Sequence, residues 1–170
     1  MSVSLTDWRN KMKKEKRQEY SARIVQANRT QLLVIVYEII QEELEEALRS
    51  LEENNIELFD SCLGNAHKFL QELMGTLDYQ YEISFSLMSL YKYISKQIIS
   101  ARHSKKKEQL QECSKMIESL CIGYEEVSKQ DPSGPLMANT QKVYAGLTYG
   151  KGSLSEVTVE DGNGKRGLYA

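Results

Sequence analysis

The chain predicts an all-α fold, an antiparallel up-down-up-down four-helix bundle, and three observations carry that prediction. Between residues 29 and 129, apolar side chains recur in four stripes at helical steps of three and four. The connections between stripes are only a few residues long, so consecutive helices must run antiparallel, with no room for a long crossover. No alternating apolar and polar run of strand type interrupts them. Three segments follow: a basic arm over 1–28, the bundle over 29–130, and a mostly irregular, glycine-rich tail over 131–170.

The bulk composition agrees. A length of 170 residues suits one domain with tails, and 41 % hydrophobic with 27 % charged residues is the balance of a soluble globular protein. The longest apolar run, Leu32 to Tyr37, falls far short of the ~20 residues that a membrane span requires. No membrane insertion is expected. The first seventeen residues are polar and basic without an apolar stretch, so no secretory signal is expected either. Cys62, Cys113 and Cys121 are odd in number, lack metal-type spacing and fall on apolar stripes. They read as buried, reduced thiols of a cytosolic protein.

The net charge of −2 hides a strong polarity. Residues 1–30 hold eight basic and three acidic side chains, a net of +5; residues 131–170 balance, and the segment between carries −7. A basic arm on an acidic body can fold back onto it or meet an acidic partner. No groove-reading motif supports a nucleic-acid partner.

The elements follow in order. Residues 1–28 hold Trp8, Met12 and Tyr20 as isolated apolar side chains, which predicts a flexible or loosely docked arm. Asn28 with Gln31 forms a capping box for the first long helix. Its main stripe is Leu33, Val36, Ile40, Leu44, Ala47 and Leu51. A second row, Leu32, Ile35 and Ile39, widens the apolar surface over the first half only; glutamates replace it afterwards. That surplus beyond what a bundle needs is the first pointer to function. The helix should end at Asn54–Asn55, because asparagine tolerates the left-handed conformation, and Asn55 can cap the next.

The second stripe is Phe59, Leu63, Ala66, Leu70, Leu73 and Leu77, spaced like a bundle seam. The third is Ile83, Leu87, Leu90, Ile94, Ile98 and Ala101, flanked by Phe85, Met88, Tyr91 and Tyr93. Ser104 is expected to cap the fourth helix, with Lys105, Lys106 and Lys107 merely solvated. The fourth stripe is Leu110, Cys113, Ile117, Leu120, Tyr124 and Val127, ended by Asp131-Pro132. In the tail, residues 143–149 and 154–159 have strand-like composition, but an isolated hairpin is marginal.

No catalytic constellation appears. His67 and His103 lie on different helices without a partner at ligand spacing, and the Glu-x-x-His pairs of di-iron bundles are missing. The run Gly150-Lys151-Gly152-Ser153 lacks the strand and helix that a phosphate loop requires. No cofactor, metal ligand or catalytic residue is assigned. Spacing alone leads to a helical bundle that binds a partner.

Three stretches then resemble a known family, the flagellin export chaperones FliS. Residues 32–38, LLVIVYE, are similar to the family's leucine-rich segment ending in Met-Leu-Tyr-Asp. Residues 69–78, FLQELMGTLD, match its helix-two ending, Glu-Leu-x-x-Thr-Leu-Asp. Glu82, Ile83, Leu87 and the LYKY run at 90–93 match the start of its third helix. The resemblance covers about Tyr20 to Val127, and the order and spacing of the stretches make it specific. Where the family usually carries Ser-Pro, Asn28-Arg29 stand here.

The resemblance implies a cytoplasmic chaperone that binds the disordered C-terminal segment of flagellin, blocks premature polymerisation and presents the subunit for export, with export-gate components as further partners. The physical reading fits: a widened apolar face is a groove for an amphipathic partner helix. The positions matching the motif, and so expected to bind the partner, are Tyr20, Leu32, Leu33, Val36, Tyr37, Ile40 and Leu44. Leu32 and Tyr37 are expected to lean toward the groove, the others to serve groove or core. The alternative is a scaffold or regulatory bundle unrelated to flagellin. Either the basic arm or the stretch 143–149 is expected to cover the groove when no partner is bound.

Overall fold

In the computed structural model, residues 5–137 are described, with side chains from Lys14 onward. The second unit of the chain, Asn139–Ala170, lies outside them, and with it the strand-like stretches of the tail. Five helices run through the described residues: α1 Leu5–Gln26, α2 Arg29–Glu52, α3 Ile56–Gly75, α4 Ile83–Ser104 and α5 Lys107–Gln130. No strand occurs among the described residues.

Local chemistry sets most of the boundaries. Asn28 accepts the Gln31 N–H at 2.8 Å while the Gln31 side chain accepts the Asn28 N–H at 3.0 Å, so the capping box at the start of α2 is complete. Beyond α2, Asn54 takes a left-handed φ of 55°, and the Asn55 side chain accepts the Leu58 N–H at 3.1 Å to open α3. At the α4–α5 junction the expectation fails. Ser104 is the last residue of α4, not the cap of α5, because Lys105 stops the helix with a left-handed φ of 56°. Nor are two of the lysines there merely solvated. Lys105 pairs with Asp60 at 3.2 Å and sits over the Phe59 ring, and Lys107 reaches Glu52 at 3.1 Å.

Helices α2 to α5 share one apolar core. α2 packs along both α3 and α5, and α4 closes the other side against the same two helices. Phe59, Leu63, Leu70, Ile94, Ile98, Leu110 and Ile117 are all essentially inaccessible, as the stripes require. The diagonal between α2 and α4 is bridged by two tyrosines whose hydroxyls hydrogen-bond inside the core, Tyr37 and Tyr91. The ring of Tyr124 on α5 stands 5.4 Å from that of Tyr37. Two stripe positions fall outside: Ile83 and Val127 stand at helix ends, beyond the reach of the opposing helices, and are 64 % and 55 % exposed.

The N-terminal arm, expected to be flexible or loosely docked, is helical: Leu5–Gln26 form α1, a helix of 22 residues. Lys, Arg, Glu, Gln and Met favour helix and no Gly or Pro interrupts them, so the backbone follows propensity although no apolar stripe demands it. The far end of the bundle is closed by residues 131–136. Thr30 donates to the Asp131 carboxylate, Asn28 donates to the Ser133 carbonyl at 3.3 Å, and the Leu136 N–H reaches the Ala27 carbonyl at 3.0 Å.

Candidate functional site

The site begins with what α2 does not give to the core. Leu32, Ile35 and Ile39 all lie outside the central cluster, while Ile40, Leu44 and Ala47 on the opposite side of the helix are at its centre. Leu32 and Ile39 are half-buried, and Ile35 is buried. The surplus row is therefore physically separate from the packing that holds the bundle together.

α1 is tied to this same face. The Arg23 guanidinium grips the Glu38 carboxylate through both nitrogens, at 2.5 and 2.8 Å, and Lys16 reaches Glu42 at 2.7 Å. Positions 35, 38, 39 and 42 lie on one side of α2 at steps of three, one and three. The basic arm thus meets the acidic body through two specific ion pairs. Both are partly exposed, so each is worth only about 0.2–1 kcal/mol. Between them, Tyr20 is half-buried with the Arg23 guanidinium over its ring. Burial first, then a hydrogen bond to Glu42 and the charge of that carboxylate, raise its hydroxyl well above the ordinary tyrosine range.

Toward the C-terminal half of α2 the arm and the bundle part, leaving a cleft of about 850 Å³ between α1, α2 and α3. Tyr20, Ile39 and Phe69 supply its apolar surface; Glu42, Glu46 and Arg49 are among the charged groups around it. A cleft with an apolar floor and a mainly acidic border suits an amphipathic polypeptide segment.

The motif residues divide. Tyr20 lines the cleft, and Leu32 lies half-buried on the surplus row. Leu33 and Val36 are half-buried, packed against the core from its margin. Tyr37, Ile40 and Leu44 are fully enclosed in the core. The expectation that Tyr37 leans toward the groove is thereby corrected. A tyrosine hydroxyl needs a partner when buried, and Tyr91 provides one across the bundle. Ile39 belongs to the surplus row without being a predicted site residue, and Glu38, Glu42 and Phe69 carry no site expectation from the sequence. Their role depends on where α1 lies, which no short-range pattern encodes.

Other chemistry is not assembled. His67 is half-buried on α3 and His103 exposed at the end of α4. Among the described residues no group of His, Cys, Asp or Glu is arranged to hold a metal ion, and no helix is long and apolar enough to cross a membrane. Burial pushes the Cys113 thiol up to about 12 and the Cys121 thiol to about 11. Neither is a thiolate at neutral pH, so neither is an activated nucleophile.

Comparison with known proteins adds one finding. The family model described as flagellar protein FliS matches residues 12–131, from within α1 to the end of α5. No curated protein matches the chain. With a match over more than half its length, this chain belongs to the FliS family of flagellar export chaperones.

Proposed function

We propose that this protein is a cytoplasmic chaperone whose partner is the disordered C-terminal segment of flagellin. The segment folds as an amphipathic helix against the surplus row of α2, with Tyr20, Leu32, Leu33 and Val36 among its contacts. Tyr37, Ile40 and Leu44 hold that row rigid from behind. The single observation that carries the reading is that Leu32 and Ile39 stand half-buried outside the central cluster, on the face of α2 to which α1 is tied by two partly exposed ion pairs. Family membership supplies the class of partner.

The energetics suit a releasable complex. A disordered partner loses conformational entropy when it folds onto the groove, which moderates affinity even over a large contact. Covering the cargo's polymerising segment prevents assembly, and weak net binding allows release at the export apparatus. Calorimetry of the full chain with a synthetic flagellin C-terminal peptide tests this. A 1:1 complex is expected, weakened about tenfold or more by Leu32→Glu together with Ile39→Glu. No heat, or an affinity indifferent to those substitutions, would count decisively against it.

A further inference from the structure

α4 carries a second surface that the core does not use. Phe85, Lys92 and Ile99 follow one another at steps of seven, and Met88 and Lys96 fill the turns between, which places all five on one stripe. Phe85 is 58 % and Ile99 46 % exposed, so the stripe ends in bare apolar groups. Across from its Lys92 to Ile99 half, α3 presents His67, Gln71 and Met74, and the two helices line an open cleft of about 290 Å³ there.

At the Phe85 end the apolar surface continues onto Tyr79, whose ring lies 5.3 Å away. This connection is built, not slack: Asp78 accepts the Gln80 N–H at 3.0 Å, and Ser84 donates to the Asp78 carbonyl at 2.6 Å. At the other end of the seam, Asp60 is engaged by Arg102 and Lys105. In the middle stand Lys92 and Lys96 with His67 opposite, and no carboxylate lines the cleft. Among the described residues neither lysine makes an ion pair. Like charges one turn apart repel, so this arrangement gains from an incoming anion.

We propose that the α3–α4 seam is a docking groove for an amphipathic helical segment of a partner protein, one whose apolar residues bracket an acidic centre. The pattern apolar, cationic, apolar runs from Phe85 to Ile99, fifteen residues of α4 and about 21 Å, which four turns of a partner helix span. A concave seam between helices accepts a helix ridge; a lipid surface would need a projecting one. α4 lies diagonally across the bundle from α2. The seam is therefore a separate surface, and the proposal does not rest on the flagellin reading.

The test uses the full chain and two designed peptides of about 18 residues, each a leucine-faced helix. One carries glutamates at its centre and the other lysines, and binding is read by fluorescence anisotropy. The glutamate peptide is expected to bind and to shift the His67 ring resonances. Lys92→Glu with Lys96→Glu should weaken it at least tenfold and transfer preference to the lysine peptide, a reversal that misfolding cannot mimic. Phe85→Ser with Ile99→Ser should weaken both peptides. Unchanged preference after charge reversal would overturn the proposal. So would affinity indifferent to Phe85 and Ile99, or binding of phosphatidylglycerol vesicles in place of the peptide.

Discussion

Tyr37 and Tyr91 bring hydroxyls into the core that satisfy each other, with the Tyr124 hydroxyl also interacting with that of Tyr37. Burial, and then the bond to Tyr91, raise the Tyr37 hydroxyl far above its ordinary value. Burial pushes Tyr91 up to about 12, with the bond from Tyr37 pulling the other way. Tyr37→Phe leaves the Tyr91 hydroxyl sealed in without a partner, at a cost of about 1–3 kcal/mol. Adding Tyr91→Phe should recover part of that loss, a non-additivity that urea denaturation of the four proteins would reveal. Asp131 makes the opposite case. The Ser133 hydroxyl, then Thr30, hold its carboxyl at about 2, below the ordinary 3.8. A depressed carboxylate stabilises above its unfolded value, so the tie between α5 and α2 should persist above about pH 4 and fade as pH falls toward 2. Amide exchange at Ser133, whose N–H bonds the Asp131 carboxylate, would report that loss.

Among the elements, the caps separate what a sequence displays from what it conceals. Asn28 and Gln31 are three residues apart and bond to each other's backbone, so the start of α2 was legible from the residues alone. Asn28→Ala should cost about 1 kcal/mol. Asn28→Asp should cost less, since it keeps the cap and loses only the bond to Ser133; thermal denaturation would rank the three. The four stripes of the bundle were legible for the same local reason. Less so was the α4–α5 junction, where Ser104 looks like a cap but Lys105 is held by Asp60 on α3, forty-five residues away. The helical state of α1 follows local propensity, but where it docks was concealed because its ties, Arg23 to Glu38 and Lys16 to Glu42, are tertiary. Tyr37 misled for that reason too: its burial depends on a hydroxyl fifty-four residues on. Of the surplus row only Ile39 lines the cleft, and no sequence signal pointed to Phe69 or to the glutamates that meet α1.

For the molecule as a whole, charge opposition governs how the arm meets the body. If α1 competes with the partner for the face of α2, weakening its hold should improve binding. Lys16→Glu with Arg23→Glu removes two pairs worth about 0.2–1 kcal/mol each, so peptide affinity should rise by about two- to thirtyfold. Raised salt should act in the same direction on the native protein and add little to the double variant. Titration calorimetry at two ionic strengths distinguishes these outcomes. Lower affinity in the variant would mean that α1 is part of the groove itself and not its cover. Either result decides whether α1 competes with the cargo segment or helps to hold it.

The meeting of Asp131 with Thr30, and of Leu136 with Ala27, brings the last turn of α5 against the first turn of α2. The bundle therefore forms a closed ring of four rods whose seam happens to fall between those two. Cutting the loop at Asn54–Asn55 and splicing the old seam would give the order α3, α4, α5, α2 with every core contact kept. A fold that survives such rewiring owes its shape to its stripes and not to the order in which they were written.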